Sequence, residues 1–330
     1  MKTFRNINAR DLEDAVSIAL EIQDSGQTIA FSGGGTDLLQ QVKDGTERPD
    51  VIVNLRNVRG QREVRSDNDQ VEIGGLISLT NLGRDSLIQD QFPVLAQAAA
   101  SVGSPQIRNA GTLAGNIMQR PWCWYYRNGF DCFKAGGNQC YSVTGENQLH
   151  AIFGGGPSYI VHPSDVAPAL TALDAKYRVL GPNGERNLTS SEFFVLPVTN
   201  PEKENVVASN ELLAGVSIPR PKANTRSAYK KVMDREAWTH AVVSVAVVLE
   251  MDGMVCSGAR IVMGGVAPIP WRVPEAEQLL LGQRLTPELA RQASRRAVSG
   301  AAPLAKNGYK VQMASTVIER TIMSLASNSQ

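Results

Sequence analysis

The chain has 330 residues, 42% of them hydrophobic and 20% charged, with a formal net charge of +1. That length allows two or three domains with their own cores, and the composition is that of an ordinary soluble protein. No basic block offers itself to nucleic acid or a membrane surface, and the longest mainly apolar run, Ala241 to Leu249, is too short to span a bilayer. The N-terminus lacks the continuous apolar segment of an export signal, so the expected compartment is the cytoplasm.

In chain order, Asn8 with Asp11 reads as a cap, and Leu12, Ala15, Val16, Ala19 and Ile22 follow at helical spacing. Residues 27–31 read as a buried strand. The stretch Ser32-Gly33-Gly34-Gly35-Thr36-Asp37-Leu38 comes next, then a helix to Val42 and a second buried strand at 50–55. Residues 1–57 thus read as β-α-β-α-β. A second unit, 58–200, begins with a strand at 70–74, a helix at 78–88 and an alanine-rich helix at 93–102. It continues through a second small-residue loop, Gln106 to Ile117, and an irregular region at 118–156. A strand at 159–161, a helix capped by His162-Pro163-Ser164-Asp165 and a hairpin around Gly181-Pro182-Asn183-Gly184 complete it. Residues 197–206 look like a linker. The third unit, 207–330, reads as strands at 212–218, 228–233, 241–251 and 255–263 with a turn at Asp252-Gly253, then helices at 274–281, 287–298 and 309–327. The expected class is α+β.

Three glycines between a strand and a helix let the backbone turn tightly and present free N–H groups to an anion such as a pyrophosphate, although a plain turn would look the same. No Gly-Lys-Ser/Thr follows, so this is not a Walker loop, and no third spaced glycine makes it a dinucleotide fingerprint. The second loop, Gly111 to Gly115, has the same character, and two such segments could close on one extended ligand. Asn116 and Asp165 could bond its hydroxyl groups, with Asp165 equally readable as a helix cap.

Cys123, Cys132 and Cys140 fall in one 18-residue window, with Cys256 far away. Their spacing is not that of zinc ligands. Thiolates on a long loop among Trp122, Trp124, Tyr125, Tyr126, Phe130, Phe133 and Tyr141 suit an iron–sulfur cluster better, because it needs soft anionic ligands and a shielding shell. Cys256 reads as packing, and His150, His162 and His240 as structural.

The glycine loop ending in Thr-Asp-Leu-Leu, with Lys43 beyond it, resembles the first flavin loop of the FAD subunits of molybdenum hydroxylases. Gln-Ile-Arg-Asn…Thr-Leu-Ala-Gly-Asn-Ile is similar to their second loop, as in xanthine and CO dehydrogenases, and His162 to Leu170 to their third element. Glu211-Leu212-Leu213 with Ile218-Pro219, Tyr229-Lys230-Lys231, Arg235 and Gly264 to Pro268 with Trp271-Arg272 resemble the C-terminal domain. The resemblance spans the chain.

It implies FAD held between two subdomains of the vanillyl-alcohol-oxidase type, followed by a CO-dehydrogenase-flavoprotein-type domain. Ser32, Gly33, Gly34, Gly35, Thr36, Asp37 and Leu38 would hold the pyrophosphate through the backbone. Thr112, Gly115 and Asn116 would line the other side. Ser164 and Asp165 would meet ribityl or ribose hydroxyls, and Leu213 and Lys231 would approach the flavin, the lysine near its N1/O2 edge.

The cysteine window is similar to an insertion in the branch containing periplasmic aldehyde oxidoreductase and 4-hydroxybenzoyl-CoA reductase, whose flavin subunit carries an extra 4Fe-4S cluster. In that branch a fourth cysteine stands four residues before His-Pro-Ser-Asp; here the position is Ser158. Ser158 or another group such as His150 would ligate the fourth iron, or the cluster would be 3Fe-4S, or absent.

The implied role is electron transfer without catalytic acid–base residues. The implied partners are a small subunit with two 2Fe-2S clusters, a large molybdopterin subunit and an external electron acceptor. Alternatives are a self-sufficient flavin oxidase and a scaffold without flavin. A periplasmic location would follow from co-export on a partner's signal.

Overall fold

The computed structural model describes residues 2–67, 69–237 and 239–327. Among them, three sheets form. The first is parallel, with β1 (Arg5–Asn8), β3 (Val51–Asn54) and β2 (Ile29–Ser32) in that spatial order, and helices Leu12–Asp24 and Leu38–Asp44 in the connections. The first helix buries Leu12, Ala15, Val16, Ala19 and Ile22. Its cap is Asp11, which accepts the Asp14 N–H at 2.7 Å; Asn8 ends β1 instead. The β-α-β-α-β reading of the N-terminus therefore holds, with the cap displaced.

The second sheet is antiparallel and consists of β4 (Val64–Ser66), β5 (Gln70–Gly74), β6 (Lys176–Gly181), β7 (Gly184–Leu188) and β8 (Leu212–Pro219), ordered β4-β5-β8-β6-β7. β8 corrects the expected boundary at 207. Leu212 to Ile218 is buried throughout, so the strand needs neighbours on both edges and cover on both faces, and β5 and β6 provide the edges. Residues 197–206 are consequently a loop inside the second unit. The expected helix at 78–88 is two, Leu79–Arg84 and Ser86–Gln91, because Asp85 stops one and caps the other by accepting the Ile88 N–H. The stretch 159–161 is irregular rather than a strand.

The third sheet holds β9 (Thr225–Val232), β10 (Val243–Asp252), β11 (Val255–Gly264) and β12 (Trp271–Arg272), with β13 (Gln283–Arg284) also against β11. Asp252 pairs with Val255, so the turn is Gly253-Met254, one residue later than expected, with Gly253 at a φ of +58°. Helices Pro274–Leu280, Pro287–Ala297 and Tyr309–Ser327 accompany the sheet. Its Tyr229, Ala246, Val248 and Val262 join the core of the second unit, while Ile152 and Phe153 from the irregular region join the C-terminal core. The 118–156 region is thereby anchored at its far end.

Candidate functional site

β2 delivers Ser32 to the end of the parallel sheet, and Gly33-Gly34-Gly35 turns the chain away, Gly35 with a φ of +72°. This loop lies directly on the second. A β-carbon on Gly34 would enter the carbonyl of Ala110, reaching 2.7 Å from its carbon, and one on Gly33 would stand 2.8 Å from Thr112 Oγ1. Only glycine permits the approach. On the facing side Thr112 caps the short helix Leu113–Ile117 by accepting the Gly115 N–H at 3.1 Å.

Among the described residues, the N–H groups of Gly33, Gly34, Gly35, Thr36 and Asp37 donate to no protein acceptor. Consecutive free amides of this kind form an anion-binding concavity. Two cavities, of about 300 and 540 Å3, meet at the loop. Both are lined by Ser32, Gly33, Gly34, Gly35, Leu76 and Thr112. The first adds Asp37, Leu38, Gly115, Arg120, Leu213 and Glu47, whose carboxyl burial pushes up, while the second adds Asn54, Arg56, Arg62, Asn81 and Asn109. The shape suits a ligand with two arms joined at an anionic centre, which is the anatomy of a dinucleotide. The residues therefore fit FAD.

The remaining expected residues form a separate polar cluster. Ser164 Oγ donates to Asn116 Oδ1 at 2.6 Å and accepts the Ala167 N–H, capping the helix Val166–Ala172. Asp165 accepts from Tyr229 Oη at 2.7 Å and Lys231 Nζ at 2.8 Å, and Lys231 also donates to the Ser101 carbonyl. The Asp165 and Lys231 side chains are only 4% and 2% exposed, so the lysine's charge is matched inside the protein. Burial, and next the Asp165 charge, push the Tyr229 hydroxyl well up. Asn116, Asp165 and Lys231 line neither arm of the cleft.

Sequence reading missed what joins the cleft to the irregular region. Asp37 accepts from Gln41 Nε2, the Arg120 N–H at 3.0 Å and Arg127 Nη2 at 2.7 Å. Arg127 stacks its guanidinium over Trp122, 4.4 Å from the ring centre. Arg120 also pairs with Glu204 at 2.9 Å, and Lys134, whose ammonium is pulled down by burial, pairs with the same carboxylate. Arg127 is 90 positions from Asp37, and no local pattern signals such a partner.

Beyond that bridge lie the thiols. Cys123 is within electrostatic reach of Cys132 and Cys140, and burial pushes its thiol up to about 11. Its Sγ is 3.3 Å from His150 Nε2, and Cys140 Sγ is 3.1 Å from Ser142 Oγ. Trp124, Tyr125, Phe130 and Tyr141 enclose the pocket through mutual ring contacts, Trp124 and Tyr125 also meeting His150. Among the described residues no three His, Cys, Asp or Glu groups are gathered tightly enough for a single metal ion. A cluster asks for something different, because each thiolate binds its own iron. The donor set, three free thiols in an aromatic shell, fits that chemistry. Ser158 is buried but makes no hydrogen bond to any of the thiols. Cys256 lies in β11 and donates to the Gly258 carbonyl at 3.3 Å, consistent with packing. A further cavity of about 260 Å3, lined by Cys123, His150, His162, Ser164 and His240, connects the thiol pocket to the polar cluster.

The fold and the cleft define a flavoprotein of the two-subdomain type with an appended C-terminal domain. The FAD binding domain in molybdopterin dehydrogenase matches residues 2–221, and the CO dehydrogenase flavoprotein C-terminal domain matches residues 227–325, a division that falls between β8 and β9. The chain belongs to the FAD-binding subunits of the molybdenum hydroxylases. It is 31% identical over 300 residues to the aldehyde oxidoreductase FAD-binding subunit PaoB of Escherichia coli, covering 89% of each chain. It is 27% identical over 289 residues to the nicotinate dehydrogenase FAD-subunit of Eubacterium barkeri, covering 87% of this chain and 83% of that one. Reconstituted CO dehydrogenase from Oligotropha carboxidovorans shares the fold, with a TM-score of 0.78 at 22% identity over 98% of both chains. The protein is thus an FAD subunit of a multi-subunit oxidoreductase, as expected, in preference to a free-standing flavin oxidase.

Proposed function

We propose that this subunit passes electrons from two 2Fe-2S clusters on a small subunit, filled by a large molybdopterin subunit, to an external acceptor, in a complex of three kinds of chain. We also propose that Cys123, Cys132 and Cys140 hold an additional iron–sulfur cluster beside the flavin cleft. Bound in the cleft, FAD would supply electron transfer in one- or two-electron steps. The chain's own part is placement. The free amides of Gly33 to Asp37 take the pyrophosphate, Leu38, Thr112 and Gly115 complete that wall, and Leu213 meets the flavin arm. Behind the cleft lining, the Ser164–Asn116 pair and the Asp165–Tyr229–Lys231 set would back the cofactor, with Lys231 acting through its pair with Asp165 rather than as a lone cation. The row of amides without protein acceptors is the observation that carries the flavin assignment.

For the cluster, the support is the donor set and its shell, together with the Asp37–Arg127 bridge that fixes the thiol loop against the flavin loop. The test is anaerobic purification of the complex with assays for flavin, molybdenum and iron. We expect bound FAD, and iron in excess of what two 2Fe-2S clusters contain. FAD without that excess removes the cluster and leaves the flavin role; a complex without FAD overturns the assignment of the cleft.

A further inference from the structure

We propose that Arg56 and Arg62 are cofactor-binding residues, supplying the full positive charge that the pyrophosphate needs in the larger of the two cavities. The inference rests on the reading of the cleft as an FAD site and adds side chains to what the amide row does. A pyrophosphate bridge is charged on each phosphate, whereas a free backbone amide carries only a partial positive charge.

The two cavities differ in what they offer such an anion. The smaller holds Asp37, Glu47 and Glu211 against Arg120, whose guanidinium is committed to Glu204 and Tyr126 Oη. The larger, of about 540 Å3, is lined by Arg56 and Arg62 and, among the described residues, by no carboxylate. Neither arginine pairs with an acid elsewhere among those residues; Arg62 Nη2 donates to the Arg56 carbonyl, which holds both on one loop after β3. The Gly33, Gly34 and Gly35 amides, free of protein acceptors, lie in the wall of the same cavity.

Its neutral groups agree with the charges. Asn109 Oδ1 accepts from Thr80 Oγ1 at 2.7 Å, and Asn54 Oδ1 accepts the Arg56 N–H at 2.9 Å. With those oxygens engaged, each carboxamide has its NH2 group, a donor, left to offer. Exposed arginines are ordinarily solvated, and both of these are exposed. Here they stand beside a row of free amides and amide NH2 groups, and a guanidinium has the planar donor geometry that matches a phosphate. Charge then decides how the ligand lies, with its phosphates toward the arginines and away from Glu47 and Glu211.

The test uses the whole complex, stripped of FAD and titrated with FAD by equilibrium dialysis at several salt concentrations. We expect Arg56→Gln and Arg62→Gln each to weaken binding about tenfold at low salt, the size of one lost charge-assisted hydrogen bond. The amide row remains in both, so both should still be purified with flavin. The fall of affinity with salt should flatten in the double variant, because exposed charges are what salt screens. Arg56→Lys and Arg62→Lys keep the charge and should keep the wild-type salt dependence. Unchanged affinity in the double variant, or a loss with the wild-type salt dependence intact, overturns the role of the arginines and leaves the FAD site. A wild-type complex that neither retains nor takes up FAD overturns the cleft assignment itself.

Discussion

The cleft between Gly33–Asp37 and Ala110–Gly115 is made of backbone, whereas the pocket around Cys123, Cys132 and Cys140 is made of side chains. In the cleft, specificity comes from how closely two loops approach and from amides left without acceptors. In the pocket, it comes from which thiol, ring and guanidinium meet across long stretches of chain. A backbone site should resist any added carbon and tolerate the trimming of side chains. A side-chain site should behave the other way round.

The largest effect should follow from Gly34→Val. Its β-carbon would enter the Ala110 carbonyl, and the two loops would have to part. Overpacking of this kind costs about 1–3 kcal/mol. Here the displacement falls on the cofactor cradle itself, so we expect most of the bound FAD to be lost, read as visible flavin absorbance relative to protein. Thr36→Ala should keep its flavin, because only the Thr36 amide is used. Flavin loss in Thr36→Ala with retention in Gly34→Val would reverse the description of the cleft.

Arg127→Ala comes next, because Arg127 belongs to both regions. Its guanidinium is 6% exposed and its partner Asp37 12%, so removing it leaves a largely buried carboxylate without its main counter-charge. Breaking such a pair costs about 3–5 kcal/mol. Chemical denaturation should show a loss of that order, with a flavin loop less firmly held. A loss under about 1 kcal/mol would mean that the two regions are mechanically independent.

The same contrast decides what could be read from sequence. The glycine loop was legible because its signal is local: a buried strand, three glycines and the start of a helix, all within a dozen residues. The first β-α-β-α-β unit and the long C-terminal helix were legible for the same reason. β8 was not assigned to its sheet, because the pairing of Ile73 with Val216 joins segments far apart in sequence and the apolar pattern names no neighbour. Asp37 was legible as a helix start and as a backbone donor to the pyrophosphate, but the two arginines on its side chain could not be found from spacing. The lone Lys231 cation foreseen at the flavin turned out to be matched by Asp165, a pairing between residues 66 positions apart. The cysteine window was visible as composition and His150 was an open alternative beside it, but the contact of His150 with Cys123 joins residues 27 positions apart and no spacing fixes it.

Acid should separate the regions more gently. His162 lines the cavity that joins the thiol pocket to the polar cluster, and its burial pulls it down to about 3. Unfolded histidine titrates near 6.5, so between roughly pH 6.5 and pH 3 the unfolded chain binds the extra proton. Stability should therefore fall as pH falls through that window, by on the order of 1 kcal/mol per pH unit for this histidine. No histidine lines either arm of the flavin cleft. Denaturation midpoints measured across the window should show the slope, and His162→Gln should reduce it. An unchanged slope in that variant would remove His162 from the account.

The smallest effect tests whether the side-chain pocket is complete without the C-terminal sheet. Cys256 is the remaining cysteine, buried in β11 among the C-terminal core and donating to the Gly258 carbonyl. Cys256→Ala removes little more than one buried atom and one weak hydrogen bond, so a loss of about 1 kcal/mol is expected. Iron and flavin contents should not change, whereas Cys132→Ala should remove the iron of the proposed cluster and leave the flavin. If Cys256→Ala lowers the iron content instead, the cluster draws a ligand from the C-terminal sheet. The 118–156 region would then be only part of its site, and the division between the two regions would have to be redrawn around β11.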